Sequence, residues 1–168
     1  GRLLHSQYFE EVARIPLLFR VPRASVRPRT IPDLASTLDT MPTILDLLGL
    51  KPNPEARGRS LLPLMMGDPL PAQPVLISWR KEKLRNQGWS LIVANGDATD
   101  LYDLTNDPGE RVNVIAEHAA ATDDLLANFR RMRTAELEHK MMLQTVPNPE
   151  TEMTSEEVEK LRALGYVN

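Results

Sequence analysis

Apolar positions follow two regimes that change near residue 74. Ahead of it the runs are short. Residues 7–14 predict a short helix with Tyr8, Phe9 and Val12 inward. Ile15-Pro16-Leu17-Leu18-Phe19-Arg20-Val21 is an apolar run closed by Pro22. Its length and its β-branched and aromatic content predict a buried strand, with Pro16 tolerable only at its start. A helix feeding such a strand points to the edge of an α/β sheet. Leu34, Leu38, Met41, Leu45 and Leu48 recur at alternating spacings of four and three, one face of a helix with Gly49 as its C′ residue. Pro42 belongs in a first turn, which places the main helix at 39–48 with Asp39 near its cap. Residues 51–74 read as a connection holding one apolar stretch, 60–66.

Beyond residue 74 alternation takes over. Residues 75–79, 89–94 and 100–104 predict three strands. Asn95-Gly96 between the last two is a strong hairpin signal, and Asn106-Asp107-Pro108-Gly109 predicts a tight turn. A long helix at 113–141 carries Leu125, Leu126, Phe129, Met132, Leu137 and Met141. After Pro147-Asn148-Pro149, Thr154-Ser155-Glu156-Glu157 forms a capping box for a terminal helix with Val158, Leu161 and Leu164 as its stripe and Gly165 as its stop. The expected fold class is α+β: the edge of an α/β sheet, then a small antiparallel sheet packed by a long C-terminal helix. The expected division is 1–74, 75–146 and 147–168.

Composition narrows the function classes. The chain has 168 residues and no cysteine, which excludes a disulfide scaffold, a thiolate zinc site and a thiol nucleophile within it. A formal charge of −3 argues against binding nucleic acid through phosphate neutralisation. No apolar run approaches the ~20 residues that span a bilayer. Eleven of the 14 prolines lie at or before position 74, so the first half is expected to consist of short elements in fixed, extended connections. Residues 1–31 hold six arginines against Glu10 and Glu11, read as a solvated rim or an anion-facing surface. Gly1-Arg2-Leu3-Leu4-His5 resembles neither an initiator methionine nor a signal peptide, and suggests a processed product or a segment of a longer protein.

Candidate chemistry is sparse. His118 and His139 fall on the predicted long helix among charged residues and read as a solvated face. His5 stands apart in a loop before the first helix. Asp123 and Asp124 are adjacent on a helix and point about 100° apart, so they do not share an ion unaided. No serine stands in a Gly-x-Ser-x-Gly elbow, and no glycine-rich phosphate loop occurs.

Four motifs in order nevertheless resemble the C-terminal third of a sulfatase, in the alkaline-phosphatase-like superfamily. Tyr8-Phe9-Glu10-Glu11-Val12-Ala13-Arg14-Ile15-Pro16-Leu17-Leu18 resembles a "Tyr-Glu-Glu" helix leading through Arg-x-Pro-Leu into a strand. Asp39-Thr40-Met41-Pro42-Thr43 is similar to an Asp-x-x-Pro-Thr helix, and Gly58-Arg59-Ser60-Leu61-Leu62-Pro63-Leu64 to the stretch that follows it. Leu101-Tyr102-Asp103-Leu104-Thr105-Asn106-Asp107-Pro108-Gly109-Glu110 resembles the Leu-Tyr-Asp-Leu-x-x-Asp-Pro-x-Glu signature. Leu161-Arg162-Ala163-Leu164-Gly165-Tyr166 is similar to the tail of some bacterial members. One departure is Ser90 after Trp89, where many relatives carry lysine.

The resemblance implies a parent hydrolase that cleaves sulfate esters through formylglycine and a divalent cation, calcium, both supplied upstream. No metal ligand is expected in this chain. The family's nucleophile lies in Cys/Ser-x-Pro/Ala-x-Arg; Ser25-Val26-Arg27-Pro28-Arg29 has its proline one position late and reads as chance. By the same resemblance His5 matches the lysine or histidine that meets the sulfate or leaving-group oxygen, where a cation stabilises developing charge or donates a proton. Arg14 and Arg80 are the candidate substrate contacts. The competing readings make Arg14 an anchor for the following strand, and Arg80 and Lys83 a solvated rim. Expected partners are a sulfate-ester substrate and the upstream catalytic part, with a homo-oligomer as a further option. Bacterial sulfatases are commonly exported, so the resemblance points to a periplasmic or secreted location. The chain alone is expected to be inactive. Two alternatives stand beside this reading: a phosphodiesterase or phosphotransferase of the same superfamily, and a non-catalytic oligomerisation or interaction module.

Overall fold

A four-stranded antiparallel meander forms because residues 75–103 repeat short alternating runs separated by turn residues. In the computed structural model, residues 10–21, 28–78 and 81–145 are described, with Glu159 and Arg162. The strands are β1 (Val75–Ser78), β2 (Glu82–Asn86), β3 (Trp89–Ala94) and β4 (Asp97–Asp103), in the order β1-β2-β3-β4. The β3–β4 hairpin turns at Asn95 and Gly96, whose φ values of 55° and 87° are those a tight primed turn demands. A register shift at Ile92/Val93 bends β3 against β4.

The helices are α1 (Glu10–Ala13), α2 (Thr40–Leu47), α3 (Leu62–Met66) and α4 (Ala119–Thr145), with a short 3-10 turn at Thr37–Asp39. The chain divides into two units, Gly1–Met132 and Arg133–Asn168. In the first, Leu84, Leu91, Val93 and Leu101 of the sheet pack with Leu125 and Phe129 of α4. The described part of the second is helical. It carries an Arg133–Glu136 ion pair at 2.5 Å and exposes Leu137 and Met141.

The α+β arrangement agrees with expectation, and several local readings change. Residues 15–21 are not a strand: a strand needs a neighbouring backbone, no described residue pairs with this run, and Leu18 is 87% exposed. Val12, expected inward, is 40% exposed. Strand β2 was not anticipated, because Leu84 is its one strongly apolar residue. The long helix begins at Ala119 rather than at 113, since residues 113–118 form a turn organised by Asn113. The Asn113 Oδ1 accepts from the N–H groups of Leu101 at 3.0 Å and Ile115 at 3.1 Å. Stretch 60–66 contains α3, which ends at Gly67 in the left-handed region. Gly49 takes φ 65° as the C′ reading required. Tyr8, Phe9, Trp79 and most of the terminal helix lie outside the described residues.

Candidate functional site

Buried polar side chains mark the places where the motifs converge. The first convergence joins Asp39-Thr40-Met41-Pro42-Thr43 to Gly58-Arg59-Ser60-Leu61. Asp39 is buried, and its carboxylate accepts from Ser36 N–H at 2.8 Å and from Arg59 N–H at 2.9 Å. Thr43 donates its hydroxyl proton to the Asp39 carbonyl at 2.6 Å and accepts from Leu61 N–H at 2.9 Å. The Ser60 hydroxyl donates to Asp46 at 2.5 Å. A Cβ on Gly58 would lie 2.0 Å from the Leu38 carbonyl oxygen, so glycine is required there. These bonds hold a loop against α2, while the Arg59 Nε is buried with no hydrogen-bond partner among the described residues.

The second convergence lies in the turn after β4. Asp103 accepts from Thr105 N–H at 2.9 Å and from the Asn106 side-chain amide at 2.6 Å. These bonds, the Asn106 amide first, hold its carboxyl below the usual carboxylate range. Asp107 accepts from Arg111 N–H at 2.6 Å and Val112 N–H at 2.8 Å. The reversal leaves Glu110 at φ 51°, left-handed for a residue with a side chain, and 1% exposed.

Glu110 leads to the third convergence. Its Oε1 accepts from Lys83 Nζ at 2.7 Å and its Oε2 from Glu10 N–H at 2.7 Å. The Glu10 Oε1 takes a second Lys83 bond at 2.8 Å and one from Arg85 Nε at 3.1 Å. Two carboxylates and two cations thus meet here. The register explains how they meet. Lys83 and Arg85 project from β2 on the face opposite Leu84, while Ser90 and Tyr102 stand across from Arg85 on β3 and β4. Lys83 is 0% exposed, which overturns the solvated-rim reading: an ammonium is buried there because two carboxylates receive it. The Ser90 hydroxyl on the same face is buried and has no hydrogen-bond partner among the described residues.

His5 and Arg80 lie outside the described residues, as does Ser25. Arg14 follows α1 directly; its N–H donates to the Glu10 carbonyl at 3.0 Å and its side chain is exposed. His118 precedes α4 rather than lying on it, and its ring meets Trp89 edge-on at 5.1 Å. Asp123 and Asp124 are both exposed. Among the described residues no three or more His, Asp or Glu side chains are grouped so as to hold a metal ion. Sequence reasoning missed the Lys83 cluster. The available signal was the Gln87-Gly88 pair before Trp89, which marks a hairpin and therefore a strand ahead of it.

Residues 4–136 match the family described as N-sulphoglucosamine sulphohydrolase, C-terminal. The chain is similar to a Bacteroides thetaiotaomicron protein named Delta 4,5-hexuronate-2-O-sulfatase, 28% identical over 149 residues that cover 75% of this chain and 31% of that protein. An N-acetylglucosamine-6-O-sulfatase of the same organism is 28% identical over 141 residues, 70% of this chain and 24% of that protein. The crystal structure of Ps i-CgsB shares the fold, with a TM-score of 0.53 and 20% identity over 79% of this chain and 29% of that one. The chain therefore spans less than a third of the length of the relatives it matches.

Proposed function

The chain belongs to the N-sulphoglucosamine sulphohydrolase C-terminal family, and from that premise we propose that it is the C-terminal part of a hydrolase that removes sulfate from a sugar. The observation that carries this reading is the family match over residues 4–136. Both curated relatives described above are named as sugar O-sulfatases, which favours a sulfated monosaccharide unit as substrate.

Calcium and formylglycine, implied for a sulfatase, find no fit among the described residues. The chain has no cysteine, and Glu10, Asp39, Asp107 and Glu110 already accept from N–H or ammonium donors. In this reading the nucleophile and the metal ligands are supplied by other parts of the protein. This chain contributes His5, as the cation or proton donor at the leaving-group oxygen, with Arg14 and Arg80 as substrate-side contacts. The polar clips supply the rigid support that such side chains need.

The test uses the complete gene product. Sulfate release is measured from 6-O-sulfated and N-sulfated glucosamine and from a 2-O-sulfated unsaturated uronide. The expected result is release from at least one, with His5→Ala lowering kcat about 100-fold or more in a protein that still folds. Residues 1–168 expressed alone should release none. A folded, complete protein that hydrolyses phosphodiesters and none of these sulfates overturns the reading.

A further inference from the structure

Charged side chains grip the segment 10–21 at Glu10. The described part of helix α1 is Glu10–Ala13. In this run Val12, Ile15, Leu17 and Leu18 are exposed, and Phe19 and Val21 are half-buried. Glu10 is gripped twice, through its N–H by Glu110 and through its carboxylate by Lys83 and Arg85. Glu110 adopts a left-handed backbone to make that contact.

We propose that Lys83 and Glu110 are positioning residues that fix α1 to the polar face of the sheet and thereby hold in register the segment carrying His5. The proposal rests on the assignment of His5 above. His5 lies five residues before Glu10, so the chain can place it no more than about 18 Å from that anchor. Within the cluster both cations bond Glu10, and Lys83 bonds Glu110 as well. A lysine buried so completely contributes little net stability compared with an apolar side chain. What it supplies is a fixed geometry for one partner. Ser90 offers a second place from which the same ammonium can be delivered. It lies diagonal to Lys83 on the adjacent strand, on the same face, and is buried with its hydroxyl unpartnered.

The experiment compares the wild-type complete gene product with Lys83→Met, Glu110→Gln and the exchange Lys83→Ser/Ser90→Lys. Two readouts are taken: trypsin cleavage after Arg14 and Arg20 under native conditions, and kcat and KM for a sulfated glucosamine. In Lys83→Met and Glu110→Gln, native cleavage at Arg14 should rise and kcat should fall roughly 10- to 100-fold, with KM within about twofold. The exchange should restore protection and most of kcat. Should Lys83→Met fail to fold, Glu110→Gln, which preserves size, carries the same comparison. Unchanged cleavage and kcat in the folded variants overturn the proposal. So does an exchange variant that folds but remains as cleavable as Lys83→Met. A wild-type protein that releases no sulfate overturns the functional reading, while the trypsin readout still upholds or overturns the clip.

Discussion

Lys83 and Leu84 are neighbours in sequence, both 0% exposed, and they face opposite sides of one sheet. On Leu84's side Leu91, Val93 and Leu101 pack with Leu125 and Phe129 of α4. On Lys83's side Arg85, Ser90, Tyr102 and the buried Ile92 share the face where Glu10 and Glu110 arrive. The apolar side draws its energy from area removed from water, which is large and indifferent to direction. The polar side gains little net energy, since desolvation offsets most of the attraction, but it accepts only a partner with its charges in the right places. One face holds the unit together and the other decides what docks on it.

Phe129→Ala should show the largest effect, a loss of about 3–5 kcal/mol in urea unfolding, because a buried ring leaves a cavity that its neighbours only partly fill. The contacts of Glu10 should be weakened only in proportion to the whole unit. Glu10→Gln should behave oppositely. Its cost is about 1.5–3 kcal/mol, that of a hydrogen bond to a charged partner, because Lys83 keeps Glu110. Backbone amide exchange should rise in residues 10–14 and stay unchanged in β3. If Glu10→Gln loosened the whole sheet, the division of labour between the two faces would fail.

The two faces also differed in how far they could be read from sequence. Val75–Ser78, Trp89–Ala94 and the Asn95-Gly96 hairpin announce themselves through apolar runs and turn chemistry, and the structure places them as expected. Strand β2 does not, because Glu82-Lys83-Leu84-Arg85-Asn86 alternates charge with a single leucine and imitates a solvated loop. Its polar side chains become interior only when Glu10 and Glu110 come in from 73 and 27 positions away. No local pattern encodes that distance. Residues 15–21 fail in the opposite sense: composition alone suggested burial, but burial needs a neighbour. The motif residues Asp39, Thr43, Gly58, Asp107 and Glu110 were legible as a group. Their physical duty, satisfying backbone N–H groups and admitting close approach, emerged only from the contacts.

Thr43 tests whether the clip between α2 and Leu61 belongs with the polar face or with the apolar one. Thr43→Val keeps shape and removes the acceptor, leaving the Leu61 N–H buried without a partner. The expected loss is about 1–3 kcal/mol, with far-ultraviolet circular dichroism unchanged. A neutral result would mean that this clip is packed by volume, like the side of the sheet that meets α4.

The smallest effect is expected at Asp103, where the polar principle operates at the surface. Its folded-state pKa is lowered by the Asn106 amide, and next by the Thr105 N–H, both bonding to the charged form. A lowered carboxylate contributes stability above its unfolded pKa, near 4, and loses it as pH falls through the folded value. Asp103→Asn should therefore be slightly destabilising at neutral pH, and the difference from wild type should shrink toward zero as pH drops below about 4. Paired melting curves at pH 7 and pH 3 read this directly. A gap that widened in acid would show that Asp103 is held by its surroundings in the protonated form. The comparison would then have the wrong sign at the surface, although the buried Lys83 cluster would be untouched, because its carboxylates meet an ammonium rather than amide donors alone.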